Sequence, residues 1–149
     1  MNRQDAKTPS EPADQLDRIA AVVIDSAFRV HSELGPGLLE SVYEVCLAHE
    51  LRKRGYSVER QVALPVKYDG IQIDAGLRMD LIVAESVVVE VKAVETLLPV
   101  HKAQLLTYLK LSHHNLGLLI NFNVPLIKDG IKRVILSSLA PSRLGGFTL

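Results

Sequence analysis

The sequence predicts a mixed α/β domain: a central mixed β-sheet with flanking helices. Three observations predict it. Apolar residues recur at helical spacing through the first third of the chain. Two short apolar runs joined by a turn occupy residues 78–92, which is typical of a hairpin. A helical segment and a second fully apolar run then follow. With 149 residues, the chain is long enough for one domain with a substantial core.

The composition is that of an ordinary globular protein, with 48% hydrophobic and 23% charged residues. The formal net charge is zero, which does not support a strongly basic nucleic-acid binder, so any contact with DNA or RNA depends on local patches. Cys46 is the only cysteine; this excludes an intrachain disulfide and fits the reducing cytoplasm, which is the expected location. No run approaches the roughly 18 apolar residues of a membrane span, so no membrane partner is expected.

The domain is expected to occupy residues 15–140. Residues 1–14 are polar, contain two prolines and lack the apolar centre of a secretory signal, so they predict a disordered tail. Residues 141–149 are interpreted as a second, loosely held tail.

Two helices open the domain. Apolar spacing predicts the first over residues 16–34, and the sequence Gly35-Pro36-Gly37 ends it and turns the chain. The second is predicted from about residue 38 to residue 54, with Gly55 at its C-terminal end.

Strands and one further helix complete the order. Alternating apolar residues predict one strand over residues 62–68, and Asp69-Gly70 is a hairpin turn signal. After the 78–92 hairpin, a helix is expected from Pro99 to about residue 111. The run at residues 117–122 predicts a buried strand, and alternation over residues 131–136 predicts the last strand.

Three charged residues lie within the apolar hairpin of residues 78–92. A turn centred on Glu85 would place Asp80 opposite Glu90, with Lys92 on the same face. The other face would then be continuous and apolar, formed by Leu81, Val83, Val87, Val89 and Val91. A slip of one residue would mix the two sets, so the hydrophobic pattern selects this register.

Two carboxylates placed opposite each other predict a metal site. Directly opposed residues have Cβ atoms about 4.5–5.5 Å apart, where two carboxylates repel each other and a divalent cation between them relieves the repulsion. Oxygen ligands favour Mg²⁺, Mn²⁺ or Ca²⁺ over Zn²⁺. With Lys92 alongside, this is the equipment of a metal-dependent phosphodiester hydrolase. Spacing alone leaves another interpretation open, in which Asp80 pairs with Arg78 or Lys92, and Glu90 and Lys92 form a solvated strand edge.

Two further groups have a structural and a functional interpretation. Glu40, in the first turn of the second helix, either complements the helix dipole or joins the acidic site; Tyr43 and Glu44 lie within one turn of it. Gln104 and Tyr108 are four residues apart and share a helix face. They are either a surface pair or a polar pair that lies over the acids.

The sequence resembles a known family. Gly37-Leu-Leu-Glu40-Ser-Val-Tyr43 is similar to the signature of the GxxExxY proteins, a prokaryotic family placed in the PD-(D/E)XK nuclease superfamily. The resemblance extends over roughly residues 19–134, and it is carried by residues 59–62, 78–83, 89–93, 99–108 and 116–122.

The resemblance implies a restriction-endonuclease-like core and assigns roles to residues. Asp80, Glu90 and Lys92 match the catalytic motif of the superfamily, and Glu40 matches an acid on the preceding helix. Met79 stands where the name-giving proline would be, a departure that does not touch the chemistry. Together with the hairpin, the resemblance gives two sets of site residues. The expected ligands of one Mg²⁺ (or Mn²⁺) are Glu40, Asp80, Glu90 and the Val91 carbonyl, and the expected supporting residues are Tyr43, Gln104 and Tyr108.

The expected function is therefore a Mg²⁺-dependent nuclease that hydrolyses phosphodiester bonds in nucleic acid, with DNA as the first candidate substrate. A homodimer is an open alternative for its assembly. The rival hypothesis is a non-catalytic nucleic-acid-binding or assembly module that keeps the nuclease fold. The zero net charge and the small size favour this rival, whereas the intact acids and lysine argue against it.

Overall fold

The computed structural model describes residues 12–136. Its helices are α1 (Pro12–Leu34), α2 (Glu40–Lys53) and α3 (Pro99–Ser112). Its strands are β1 (Val58–Ala63), β2 (Val66–Tyr68), β3 (Ile71–Ile73), β4 (Arg78–Val83), β5 (Val87–Lys92), β6 (Leu116–Asn121) and β7 (Ile131–Ile135), and a short 3₁₀ helix, Ile127–Gly130, precedes β7.

The central sheet has five strands in the order β1-β4-β5-β6-β7. β5 and β6 are parallel, and α3 is the crossover between them; the other neighbours are antiparallel. β2 and β3 form a separate two-stranded hairpin. The predicted class, an α/β fold with a mixed sheet, is confirmed.

Helices cover both faces of the sheet. The first core cluster joins α1 and α2 to one face, with residues such as Ala27, Leu47 and Leu81 fully buried. The second core cluster joins α3 to the other face through residues such as Leu105 and Val88. Because both faces are covered, β5 and β6 are buried along nearly their whole length, as their continuous apolar sequences predict.

The predicted register of the β4–β5 hairpin is confirmed. Leu81 pairs with Val89, and Val83 pairs with Val87. The turn between them is tight: Ser86 N donates to the Val83 carbonyl at 3.0 Å. All four paired side chains belong to the first core cluster, so the apolar face selects this register as expected.

The predicted single strand over residues 62–68 is wrong. The structure divides it into β1 and β2 at Pro65, which has no N–H to continue a ladder. The last regular contact before the break is the bond from Leu64 N to the Leu77 carbonyl at 2.9 Å. On the opposing segment, Gly76 has φ +73°, a left-handed conformation that glycine adopts without strain. The hairpin turn after β2 lies where predicted.

The start of the domain also needs a correction. Helix α1 begins at Pro12, so residues 12–14 are helical instead of belonging to the tail predicted for residues 1–14. The rest of that tail and residues 137–149, which include the predicted second tail, lie outside the described residues. None of the helices within residues 12–136 is both long and apolar enough to cross a membrane.

Candidate active site

The β4–β5 hairpin brings Asp80 and Glu90 together. Each carboxylate accepts a hydrogen bond from the backbone of the opposite strand: Asp80 Oδ2 from Val91 N at 2.8 Å, and Glu90 Oε2 from Asp80 N at 2.9 Å. The two side chains therefore replace backbone carbonyls as partners of these N–H groups. These two hydrogen bonds hold both acids at the end of the hairpin away from its turn.

Both acids have raised pKa values. Burial is the main cause at Glu90, which is 4% exposed, and the charge of Asp80 adds to it; together they raise the pKa of Glu90 to about 8. Burial also raises the pKa of Asp80, while the N–H of Val91 lowers it and the nearby Glu44 raises it again. The fold thus holds two carboxyl groups where ionising both is costly.

Lys92 follows Glu90 by two residues on β5 and is half-buried. Its positive charge is close enough to lower the pKa of both acids, against the larger effect of burial. Within residues 12–136 it forms no ion pair. Its backbone is fixed, because Phe122 N donates to its carbonyl at 2.9 Å. The charge of Lys92 therefore acts on both acids, and its ammonium has no ion-pair partner in the described residues.

Glu40 is the first residue of α2 and reaches the same end of the sheet. Its Oε2 accepts a long hydrogen bond, 3.4 Å, from Ala93 N, immediately after Lys92. Glu40 follows the N-cap residue Leu39, which makes no side-chain cap, and lies in the first turn, where a carboxylate also complements the helix dipole. Its charge is one of the causes that raise the pKa of Asp80.

Tyr43 supports the site from the core. Its ring is fully buried and stacks on Phe122, with centroids 4.6 Å apart. Its hydroxyl donates to the Gly35 carbonyl at 2.6 Å and accepts from Leu38 N at 3.1 Å. Tyr43 therefore fixes the loop that leads into Glu40, although its hydroxyl makes no described hydrogen bond to the acids themselves.

We expect Tyr43→Phe to lower the free energy of unfolding by about 1–3 kcal/mol, because Leu38 N and the Gly35 carbonyl both lose a partner. Urea denaturation measures this loss. The control is Tyr56→Phe, at a half-buried tyrosine whose hydroxyl has no described hydrogen bond. Equal losses in the two variants would contradict the role given to the Tyr43 hydroxyl.

The two predicted residues of α3 behave differently. Tyr108 is 6% exposed, and its pKa is raised by burial and then by the charges of Glu90 and Asp80, so its phenol lies near the acids. Gln104, one turn earlier, is exposed, and its side chain makes no hydrogen bond within residues 12–136. The structure thus brings Tyr108 to the site and leaves Gln104 at the surface beside it.

Three residues of the site were not among those predicted for it. Glu44 is only 6% exposed, and its carboxylate pairs with Arg60 at 3.1 Å. Gln61 Nε2 donates to both Glu44 oxygens, at 2.9 and 3.0 Å, and lies 3.4 Å from Asp80 Oδ1. The spacing of Glu44 from Glu40, four residues on one helix, was a signal for it. No spacing rule points to Arg60 or Gln61.

Asn121 is a fourth such residue, and it holds the chain that leaves the site. It is 2% exposed and lies opposite Lys92 in the β5–β6 register. Its side chain donates to the Val94 carbonyl at 2.8 Å and accepts from Val94 N and Asn123 N at 3.0 and 3.2 Å. An asparagine inside an otherwise apolar run is a signal that could have found it, because a buried amide needs partners.

The site offers the oxygen donors that a hard divalent cation prefers, but these donors are not grouped around a common point. Among residues 12–136, no three His, Cys, Asp or Glu side chains are grouped so that they could hold a metal ion. However, the backbone bonds occupy only one oxygen of Asp80 and one of Glu90. The other two oxygens belong to a buried and a half-buried acid that repel each other, and oxygen ligands of this kind suit Mg²⁺ or Mn²⁺.

Comparison with known proteins identifies the family. The family model described as PD-(D/E)XK nuclease superfamily matches residues 17–134, from α1 to β7, and so includes all but the last residue of the central sheet and every site residue above. No match to the chain is found among curated proteins or among solved structures. Members of the superfamily are typically nucleases. On the match over most of its length, the chain belongs to the PD-(D/E)XK nuclease superfamily.

Proposed function

We propose that the protein is a metal-dependent nuclease that hydrolyses phosphodiester bonds in nucleic acid, with DNA as the first candidate substrate. One observation carries the proposal. Buried Glu90 and half-buried Asp80 are held together at the end of the hairpin, and Lys92 lies on the same strand as Glu90 without an ion pair within residues 12–136. Membership of a nuclease superfamily supports it.

Asp80 and Glu90 are the proposed ligands of one Mg²⁺ or Mn²⁺, through the oxygens that accept no backbone bond. Glu40 and the Val91 carbonyl are proposed to complete the set. Support for Glu40 comes from its position at the end of β5, where its carboxylate accepts from Ala93 N. Such an ion, when bound, lowers the pKa of a water molecule and offsets negative charge on the scissile phosphate.

Lys92 is proposed either to position the attacking water or to stabilise the negative charge that develops on the phosphate oxygens. A lysine suits either role, because its ammonium is a compact charge with three donors. Tyr108 is proposed to orient Lys92 or the phosphate, supported by its burial next to both acids. Gln104 is exposed on the same helix and is proposed to contact the substrate backbone.

A second candidate function is a nucleic-acid-binding or assembly module that keeps the fold without catalysis. Two observations favour it: the net charge is zero, and no group of three ligands in the described residues is already arranged around a metal. A module of this kind need not bind a divalent ion at Asp80 and Glu90, so metal binding distinguishes the two functions.

The test is cleavage of labelled double-stranded DNA, single-stranded DNA and RNA with Mg²⁺, with Mn²⁺ and with a chelator. We expect cleavage of DNA with either metal and none with the chelator. Cleavage of RNA alone would change the substrate and keep the chemistry. Failure to cleave any of the three, together with no Mn²⁺ binding in a calorimetric titration, would leave the binding module as the function.

A further inference from the structure

Gln61 has an unusual backbone conformation at the edge of the site. Its φ is +54°, in the left-handed region that residues other than glycine rarely adopt and that is found at functional sites. It lies within β1, between the pairs Arg60–Leu81 and Val62–Met79. The register is the same on both sides, so no extra residue is inserted, and Gln61 stands at the level of Asp80.

The side chains change faces at this level. On a regular strand, residues two apart point to the same face. Leu81 nevertheless belongs to the first core cluster, whereas Met79 and its partner Val62 pack in the second. The side chains of β1 and β4 therefore reverse the faces to which they point at the level of Gln61 and Asp80.

This reversal of faces allows two consecutive side chains of β1 to reach one carboxylate. Arg60 and Gln61 would point to opposite faces of a regular strand. Here Arg60 lies 3.1 Å from Glu44 Oε2, and Gln61 Nε2 lies 2.9 and 3.0 Å from the two oxygens of the same side chain. The same amide nitrogen lies 3.4 Å from Asp80 Oδ1, so it bridges an anchored acid and a proposed metal ligand.

The charges of this network suit a positioning role. Arg60 compensates the charge of Glu44. Glu44 can therefore act as a fixed partner for the Gln61 amide. The amide of Gln61 is neutral, so it can direct Asp80 Oδ1 without cancelling the negative charge that attracts a cation. A lysine or arginine at this position would neutralise Asp80, and a carboxylate would repel it.

We infer that Gln61 is a positioning residue, which uses Glu44 as an anchor to set the direction of the Asp80 carboxylate for metal binding. The inference rests on the proposed function of the site. It gives a residue of β1 a role in metal binding, beside the proposed ligands on α2, β4 and β5.

Two substitutions separate the amide from the backbone conformation. Gln61→Gly removes the amide and relieves the left-handed strain, whereas Gln61→Met removes the amide and keeps both the length and the strain. We expect both to weaken Mn²⁺ binding about tenfold in calorimetric titration, because residues that orient metal ligands typically contribute 10–100-fold. Only Gln61→Gly is expected to keep or raise the melting temperature. In cleavage, kcat is expected to fall with KM for the nucleic acid unchanged.

The matched controls are Gln72→Gly and Gln72→Met, at an exposed glutamine on β3, and wild-type Mn²⁺ affinity is expected for both. Wild-type Mn²⁺ affinity in either folded Gln61 variant would overturn the inference and leave the proposed function in place. Absence of Mn²⁺ binding by the wild-type protein would overturn both.

Discussion

Glu90→Gln is expected to lower the rate of metal-dependent cleavage by about 10²–10³-fold and to weaken Mn²⁺ binding, because it removes one of the three proposed acidic ligands. Lys92→Met is expected to cause a loss of similar size while Mn²⁺ binding persists, since an ammonium is not a metal ligand. Single-turnover cleavage of labelled DNA at saturating metal, together with calorimetry, measures the two effects separately.

The controls for these variants lie nearby. Glu85→Gln alters an exposed acid in the turn at the opposite end of the same hairpin, and Lys102→Met alters an exposed lysine of α3. Both should retain wild-type cleavage. If cleavage survives in Glu90→Gln and in Lys92→Met, the mechanism proposed for this site is wrong, even if the protein proves to be a nuclease.

In the metal-free protein, stability is expected to fall as the pH rises from about 4.5 to about 8. The pKa of Glu90 is raised from 4.5 to about 8, first by burial and then by the charge of Asp80. Between these values the folded state keeps a proton that the unfolded state has released, so raising the pH favours unfolding. The slope is at most about 1.4 kcal/mol per pH unit for this one group. The raised pKa of Asp80 acts in the same direction.

Denaturation with urea between pH 5 and pH 8, with a chelator present, tests this prediction. Glu90→Gln should flatten the pH dependence and should be more stable than the wild type at pH 8 by about 2–4 kcal/mol. Adding Mn²⁺ should restore stability to the wild type, by about 2.7 kcal/mol at one hundred times the dissociation constant. Parallel pH profiles in the two proteins would show that Glu90 does not titrate in this window.

The hydrophobic pattern was sufficient to predict the fold class and the hairpin register. Only one pairing of residues 81–89 places Leu81, Val83, Val87 and Val89 on one face, and that pairing predicts that Asp80 lies near Glu90. The pattern failed at Pro65, because apolar alternation continues through the break and hides the missing N–H.

The rest of the site depends on contacts that no local pattern encodes. Gln61 has a left-handed backbone, and its side chain contacts Glu44 and Asp80, which lie 17 and 19 residues away in sequence. Strand propensity alone would predict an extended backbone conformation at Gln61. Helical spacing predicts that Glu40 and Tyr43 lie side by side on α2, but it does not predict what each side chain contacts. In the structure Tyr43 packs in the core, whereas Glu40 reaches the end of β5.

The hydrogen bonds that the Asp80 and Glu90 carboxylates accept from the backbone of the opposite strand have an evolutionary consequence. Each side chain completes the pairing of β4 with β5, so these positions contribute to folding whether or not a substrate is ever bound. A descendant that had lost its enzymatic activity would still be selected to keep an acceptor at both positions. Retention of the two acids in a homologue is therefore weak evidence of catalysis, and Lys92, which forms no ion pair within residues 12–136, is the better diagnostic position.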